Sequence, residues 1–237
     1  MLDKFILHVF SVAIAVAAAL FVTPTLAQVD EGQTGAWYMY LWSLADEGSN
    51  MGFQGDIQHR NWDLGGDLEQ LLIRGGLTWK PSSALVKYTF GAAHVVSKPF
   101  GPSSDASREN RVYQEAVIPQ RVGRKFFLTH RFRFEQRWVD NQDLRTRLRY
   151  FIGLNVPLNQ DTLGAGATYL AFYNELFVNL NQNIGNNRRV DHFDRNRSYM
   201  AFGYSLRDNL RFQLGYMHQQ TDTIGKGQLQ FSILHSM

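Results

Sequence analysis

Between Phe126 and Leu154 charged and apolar side chains alternate almost residue by residue. In a strand, successive side chains point to opposite faces. Arg131, Arg133, Glu135 and Arg137 therefore share one face, while Phe132 and Phe134 take the other. Arg145, Arg147 and Arg149 repeat the pattern after a polar break. With residues 139–143 as a hairpin loop, Glu135 faces Arg147, Arg133 faces Arg149 and Arg137 faces Arg145. Parity puts Asp56, Glu109, Arg111, Glu115, Glu175 and Arg197 on the same face. A converging row of guanidinium groups favours anions. The same residues can instead pair with the acids and fill the space as a neutralised plug. The sequence leaves both readings open.

A second constellation is Ser198 with His218. A three-residue turn at residues 207–209 sets them directly across a hairpin. An imidazole beside a hydroxyl can activate it as a nucleophile on a lipid ester. No third partner or oxyanion donor accompanies the pair, and small polar residues at the edge of an apolar band produce the same pattern. His192 stands beside Asp191 and Asp194, but nothing closes a metal-ligand set. No metal, other cofactor or catalysed reaction is therefore expected. Gly75–Gly76 precedes no helix, so it marks bending or close inter-strand approach and not a phosphate loop.

The elements that would position these residues are strands. Period-two alternation bounded by Pro, Gly, Asn and Asp clusters marks candidates at roughly 36–44, 51–60, 67–79, 84–96, 108–118, 124–138, 143–155, 166–180, 196–206, 210–220 and 227–237. The hairpin around residues 207–209 is internally consistent. It sets Phe212 by Tyr204, Leu214 by Phe202 and Tyr216 by Met200 on one face. Arg211 by Ser205, Gln213 by Gly203 and Gly215 by Ala201 fall on the other. The first strand is the weakest: Trp37, Tyr38, Tyr40 and Trp42 fall on both faces.

Composition narrows the class. The 237 residues contain no Cys and carry a net charge of +3. Disulfide and thiol chemistry are thereby removed. The bases are interspersed with acids, so no nucleic-acid partner is expected. Residues 1–27 read as a Sec-type signal peptide, with Lys4, a long apolar run and a small-x-small site before Gln28. One domain follows, over residues 28–237. Export, alternating strands and frequent Gly suggest an all-β, antiparallel up-and-down transmembrane barrel of about 12 strands, with 10–12 admitted because single-chain bacterial barrels have even numbers. Phenylalanines would face lipid and arginines the lumen, in the bacterial outer membrane, with lipids, lipopolysaccharide and the barrel assembly machinery as partners. Tyr38, Tyr40, Trp42, Trp79, Trp138, Tyr150 and Tyr216 read as interfacial girdle residues. Tyr113, Tyr173 and Tyr199 are the lumen-facing aromatics. Short turns at 80–83, 119–123 and 207–209 are expected to alternate with long loops at 97–107 and 181–195.

Several segments carry a family resemblance. They are GDIQHRNWDLGGDLEQLLIRGGLTWKP (55–81), ENRVYQEA (109–116), HRFRFEQRW (130–138), DLRTRLRY (143–150), YNELFVN (173–179) and FDRNRSYMAFGY (193–204). Their order and spacing resemble the family known as domain of unknown function 2490. The resemblance implies a bacterial outer-membrane β-barrel and supplies no activity. One departure is the C-terminus, FSILHSM, where Met237 stands in place of the terminal aromatic that assembly machinery reads in such barrels.

Overall fold

A computed structural model describes residues 32–45, 48–103 and 105–237. The signal peptide inferred for residues 1–27 lies outside the described residues. Eleven strands run in chain order: β1 (Gly35–Ala45), β2 (Met51–Asn61), β3 (Leu68–Trp79), β4 (Lys87–Ser97), β5 (Ser107–Val122), β6 (Phe126–Val139), β7 (Arg145–Pro157), β8 (Thr168–Asn179), β9 (Phe193–Arg207), β10 (Leu210–Gln220) and β11 (Gly225–Ser236). Each pairs antiparallel with its sequence neighbour, and β1 pairs with β11 to close the barrel. No helix occurs among the described residues.

The strand number corrects the expectation of 12. Ten antiparallel steps leave the first and last of eleven strands pointing the same way, so the closing pair is parallel. Its register runs from Gly35 opposite Gln228 to Ser43 opposite Ser236. Two backbone bonds extend it: Met237 N donates to Ser43 O (2.7 Å) and Ala45 N to Met237 O (3.1 Å). The alternative of ten strands plus an N-terminal segment falls as well. β1 lost its period-two signature because both of its faces are apolar. Trp37, Met39 and Leu41 turn inward, while Tyr38, Tyr40, Trp42 and Leu44 turn outward.

Elsewhere alternation fixes the faces as read. β9 and β10 pair Phe212 with Tyr204, Leu214 with Phe202 and Tyr216 with Met200. These side chains point outward, Leu214 at 60% exposure and Phe202 at 52%. β6 and β7 pair Glu135 with Arg147, Arg133 with Arg149 and Arg137 with Arg145. These point inward, with Glu135 only 1% exposed. The barrel therefore inverts the soluble arrangement, carrying apolar side chains outside and charge inside.

The connections depart from the expected alternation of short and long. The β3–β4 connection spans 80–86, and the ten-residue segment 158–167, at the barrel end of the turns expected to be short, exceeds its neighbour 140–144. This segment folds into the barrel end where β11 finishes. Ser205 Oγ donates to Leu163 O (2.9 Å), Ala165 N donates to Asp208 Oδ1 (2.8 Å), and Leu163 packs on an inner cluster of Trp37, Tyr169, Ala171, Tyr199, Ala201 and Met217. The tight turns use residues that tolerate left-handed backbone: Gly123 at φ 59° and Asn141 at φ 57°. In the 62–67 turn the N–H groups of Gly66, Asp67 and Gly65 donate to Asp63 and hold its carboxyl below the usual range.

Gly91 shows why a bare backbone is needed on the inner face. A Cβ there would meet the buried Tyr113 ring, with its hydroxyl at 2.5 Å, and the Gly75 carbonyl at 2.6 Å. Gly91→Val should therefore lower stability by about 1–3 kcal/mol through overpacking. Gly65→Ala, with nothing within 4 Å of its Cβ, should not. Equilibrium urea unfolding of the two variants distinguishes them.

Candidate functional site: an arginine-lined lumen

Closure brings the inward residues of every strand into one interior. The carboxylates are placed by β2, β5, β6, β8 and β9, and each is gripped by arginines. Glu135 on β6 takes Arg147 Nη2 at 2.6 Å and Arg149 Nη1 at 2.6 Å. Glu175 on β8 takes Arg149 Nη2 at 2.7 Å and Arg131 Nη2 at 2.6 Å. Glu115 on β5 takes Arg133 and, at 3.7 Å, Arg131. Asp194 on β9 takes Arg147 Nη1 at 2.8 Å. The chain of contacts Asp194–Arg147–Glu135–Arg149–Glu175–Arg131–Glu115–Arg133 is one connected network. Glu109 forms a smaller group with Arg111 (2.6 Å) and Arg137 (2.5 Å). Asp56 pairs with Arg74 at 2.5 Å. Charges this deeply buried persist because each carboxylate is doubly engaged or bidentate.

Aromatic rings separate guanidinium groups that would otherwise repel. Phe177 has Arg149, Arg197, Arg147 and Arg195 over its ring at 4.4, 4.7, 5.2 and 6.0 Å. Trp37 has Arg60 at 3.8 Å and Arg197 at 4.7 Å. Tyr113 carries Arg133 at 4.6 Å. Stacking of this kind contributes about 0.5–2 kcal/mol per contact, more where water is excluded.

The side chains do not fill the interior. A cavity of about 550 Å³ remains, lined from Ser97, Ser107 and Gln142 near one end to Asn155, Arg211 and Leu234 near the other. Among the described residues, eleven arginines and two glutamates line it. Adding Arg133 and the carboxylates of Asp56, Glu69, Glu115, Glu135 and Asp194, which stand behind the lining, gives twelve arginines against seven carboxylates. The lumen is thus a network of paired charges with cation left over. Arg60, Arg145, Arg197 and Arg211 make no ion pair with a carboxylate among the described residues. Arg60 bonds Gln58 and Gln70, Arg145 bonds Gln142 and Asn179, and Arg197 bonds Gln219.

All twelve residues read from the sequence as the charge network face this interior. Sequence reasoning missed Arg60, Arg74, Trp37, Arg195 and the role of Asp194. Arg74 stands directly opposite Asp56 in the β2–β3 register. Parity along β2 and β3 carries that signal, but the register is set by the glycine-rich turn before Leu68 and is bulged at Asn61. Asp194 falls within the long loop expected at 181–195, whereas β9 begins at Phe193.

Ser198 and His218 are cross-strand neighbours as expected. Their functional groups take other partners on the outer face. Ser198 Oγ accepts from Asn174 Nδ2 (3.0 Å), and His218 Nε2 lies 3.4 Å from Gln220 Oε1. His192 Nδ1 lies 2.9 Å from the Asn179 carbonyl, and Asp194 is turned to arginine. No group of three or more potential ligands is placed to hold a metal ion among the described residues.

Fold and site define a closed, eleven-stranded β-barrel with an apolar exterior and an arginine-rich interior. The chain belongs to the family described as "Protein of unknown function (DUF2490)", whose model matches residues 34–230. It is similar to an uncharacterized protein of Methylorubrum extorquens, 28% identical over 211 residues that make up 88% of each chain. No solved structure matches it.

The network predicts a sharp difference between buried and exposed charges. Glu135→Gln takes a counter-charge from the buried Arg147 and Arg149, and from Arg133 at 3.9 Å, and should lower stability by about 3–5 kcal/mol. Asp161→Asn removes a partner from Arg124, whose side chain is 85% exposed, and should change stability by less than about 1 kcal/mol. Urea unfolding of both variants beside the parent checks the contrast.

Proposed function

We propose that this protein is an outer-membrane β-barrel whose lumen is a narrow, anion-favouring path. The observation that carries the proposal is the set of eleven arginines and two glutamates around the cavity. Anions entering such a lumen meet fixed positive charge, whereas cations meet carboxylates already occupied by arginine. Support for a membrane setting comes from the exterior. Phe53, Ile57, Ile73, Leu77, Phe90, Phe132, Leu148, Met200, Phe202 and Leu214 all project outward, an apolar exterior that water would penalise. The shortest strands have 11 residues, enough for a tilted strand to cross a bilayer, which takes about 9–11. Outer-membrane lipids would contact this exterior, and the barrel assembly machinery would insert the protein. The proposal assigns the protein no catalysed reaction.

Two measurements test it. Cell fractionation should recover the protein with the outer membrane, in a form whose electrophoretic migration changes on heating. In a planar bilayer under a salt gradient, the reversal potential should show anion preference, and Arg145→Gln should reduce that preference without orphaning a carboxylate. Recovery as soluble material, silence in the bilayer or cation preference would each contradict the proposal.

A further inference from the structure

Arg197 is one of the buried guanidinium groups that the ion-pair network does not reach. It is 7% exposed, and its hydrogen bond runs from Nε to Gln219 Oε1 at 2.8 Å. Glu175 is its partner in the β8–β9 register, but that carboxylate is taken by Arg131 and Arg149. Arg197 is instead stacked on two rings, with Cζ 4.7 Å from Trp37 and 4.7 Å from Phe177. The rings fix the fork and leave its Nη donors to the cavity that Arg197 lines. Arg60 stacks on the same indole at 3.8 Å and is held by the neutral amides of Gln58 and Gln70. Two buried cations thus share Trp37 with no carboxylate in ion-pair contact among the described residues. A buried charge without a partner is expensive, and an anionic ligand removes that penalty.

The surroundings point to the kind of anion. Met39 and Tyr173 pack on the apolar cluster that contains Trp37, and with Leu72 they line the same cavity. The guanidinium fork matches a carboxylate through two parallel N–H···O bonds. A volume of about 550 Å³ lies in the range of small-molecule sites and far exceeds a simple halide. We propose that Arg197 and Arg60 bind the carboxylate of a small organic acid whose apolar body lies against Met39, Leu72 and Tyr173. This site deepens the proposal of an anion-favouring lumen, and it can be tested without conduction.

The test is calorimetric titration of the purified full chain in detergent micelles at neutral pH. The probes are benzoate, hexanoate, chloride and inorganic phosphate. Benzoate and hexanoate should bind saturably and about tenfold or more tighter than the inorganic anions, because only they bury apolar surface. Arg197→Gln should weaken benzoate binding by about tenfold or more. Met39→Gln should weaken benzoate by more than it weakens chloride. Equal affinity for all four probes, no binding of benzoate, or unchanged benzoate affinity in Arg197→Gln would overturn the site. The comparison of probes on the parent protein decides the matter even if the arginine variant fails to fold. A lumen without anion preference would show separately, as a cation-selective or silent bilayer recording.

Discussion

Everything in this molecule depends on the pairing of β1 with β11. Ten antiparallel hairpin steps make a curved sheet with two open edges. A sheet edge leaves a row of N–H and C=O groups without partners. The eleventh pairing, parallel from Gly35–Gln228 to Ser43–Ser236, satisfies both rows at once. Outside the backbone ladder, Tyr40 Oη meets His235 Nδ1 at 2.9 Å and Ser43 Oγ meets Ser236 Oγ at 3.3 Å. Closure then converts a property of each strand, alternation, into a property of the whole, an inside and an outside. Without it, Glu135 and Arg147 would be one cross-strand pair on an open surface.

Once the inner faces converge, the electrostatics follow. Guanidinium groups this close are tolerated for two separate reasons. Carboxylates such as Glu135 and Glu175 each bind two arginines, which joins β6, β7 and β8 through side chains as well as backbone. Rings such as Phe177 and Trp37 attract the remaining positive charge through their faces while holding the groups apart. The two devices differ in consequence. Carboxylate pairing cancels charge, whereas aromatic stacking orients it and leaves its donors free. Arg197 belongs to the second kind, so the structure stabilises a positive interior without neutralising it. The aromatic half of the interior, with Tyr173 and Tyr199 stacked at 4.6 Å, also keeps the cavity from being uniformly polar.

Much of this was legible in the sequence, and the exceptions have physical causes. The β6–β7 and β9–β10 registers follow from a short turn between strands whose two faces differ sharply in polarity, so only one register is tolerable. β1 hid its period because Trp37, Met39 and Leu41 serve an apolar interior while Tyr38, Tyr40 and Trp42 serve an apolar exterior. That ambiguity also obscures the strand count, since an even number requires a missing strand or a spare segment. A parallel seam removes that requirement. Segment 158–167 breaks the alternation of short and long connections, and its Leu163 packs on the inner cluster. The surplus of cation was the least legible feature. It depends on which carboxylates stand behind the cavity wall and which line it, and strand parity does not encode depth.

The absence of cysteine from the natural sequence allows a direct test of the closing pair. Ser43→Cys combined with Ser236→Cys places two thiols where the hydroxyl oxygens are 3.3 Å apart, across strands close enough for a disulfide. Mild oxidation of the folded double variant should join the two ends of the barrel nearly quantitatively, seen as a reductant-sensitive change in electrophoretic migration. Neither single variant should show it. Failure of the folded double variant to cross-link, with β1 instead found away from β11, would contradict closure by eleven strands and with it the account of the interior.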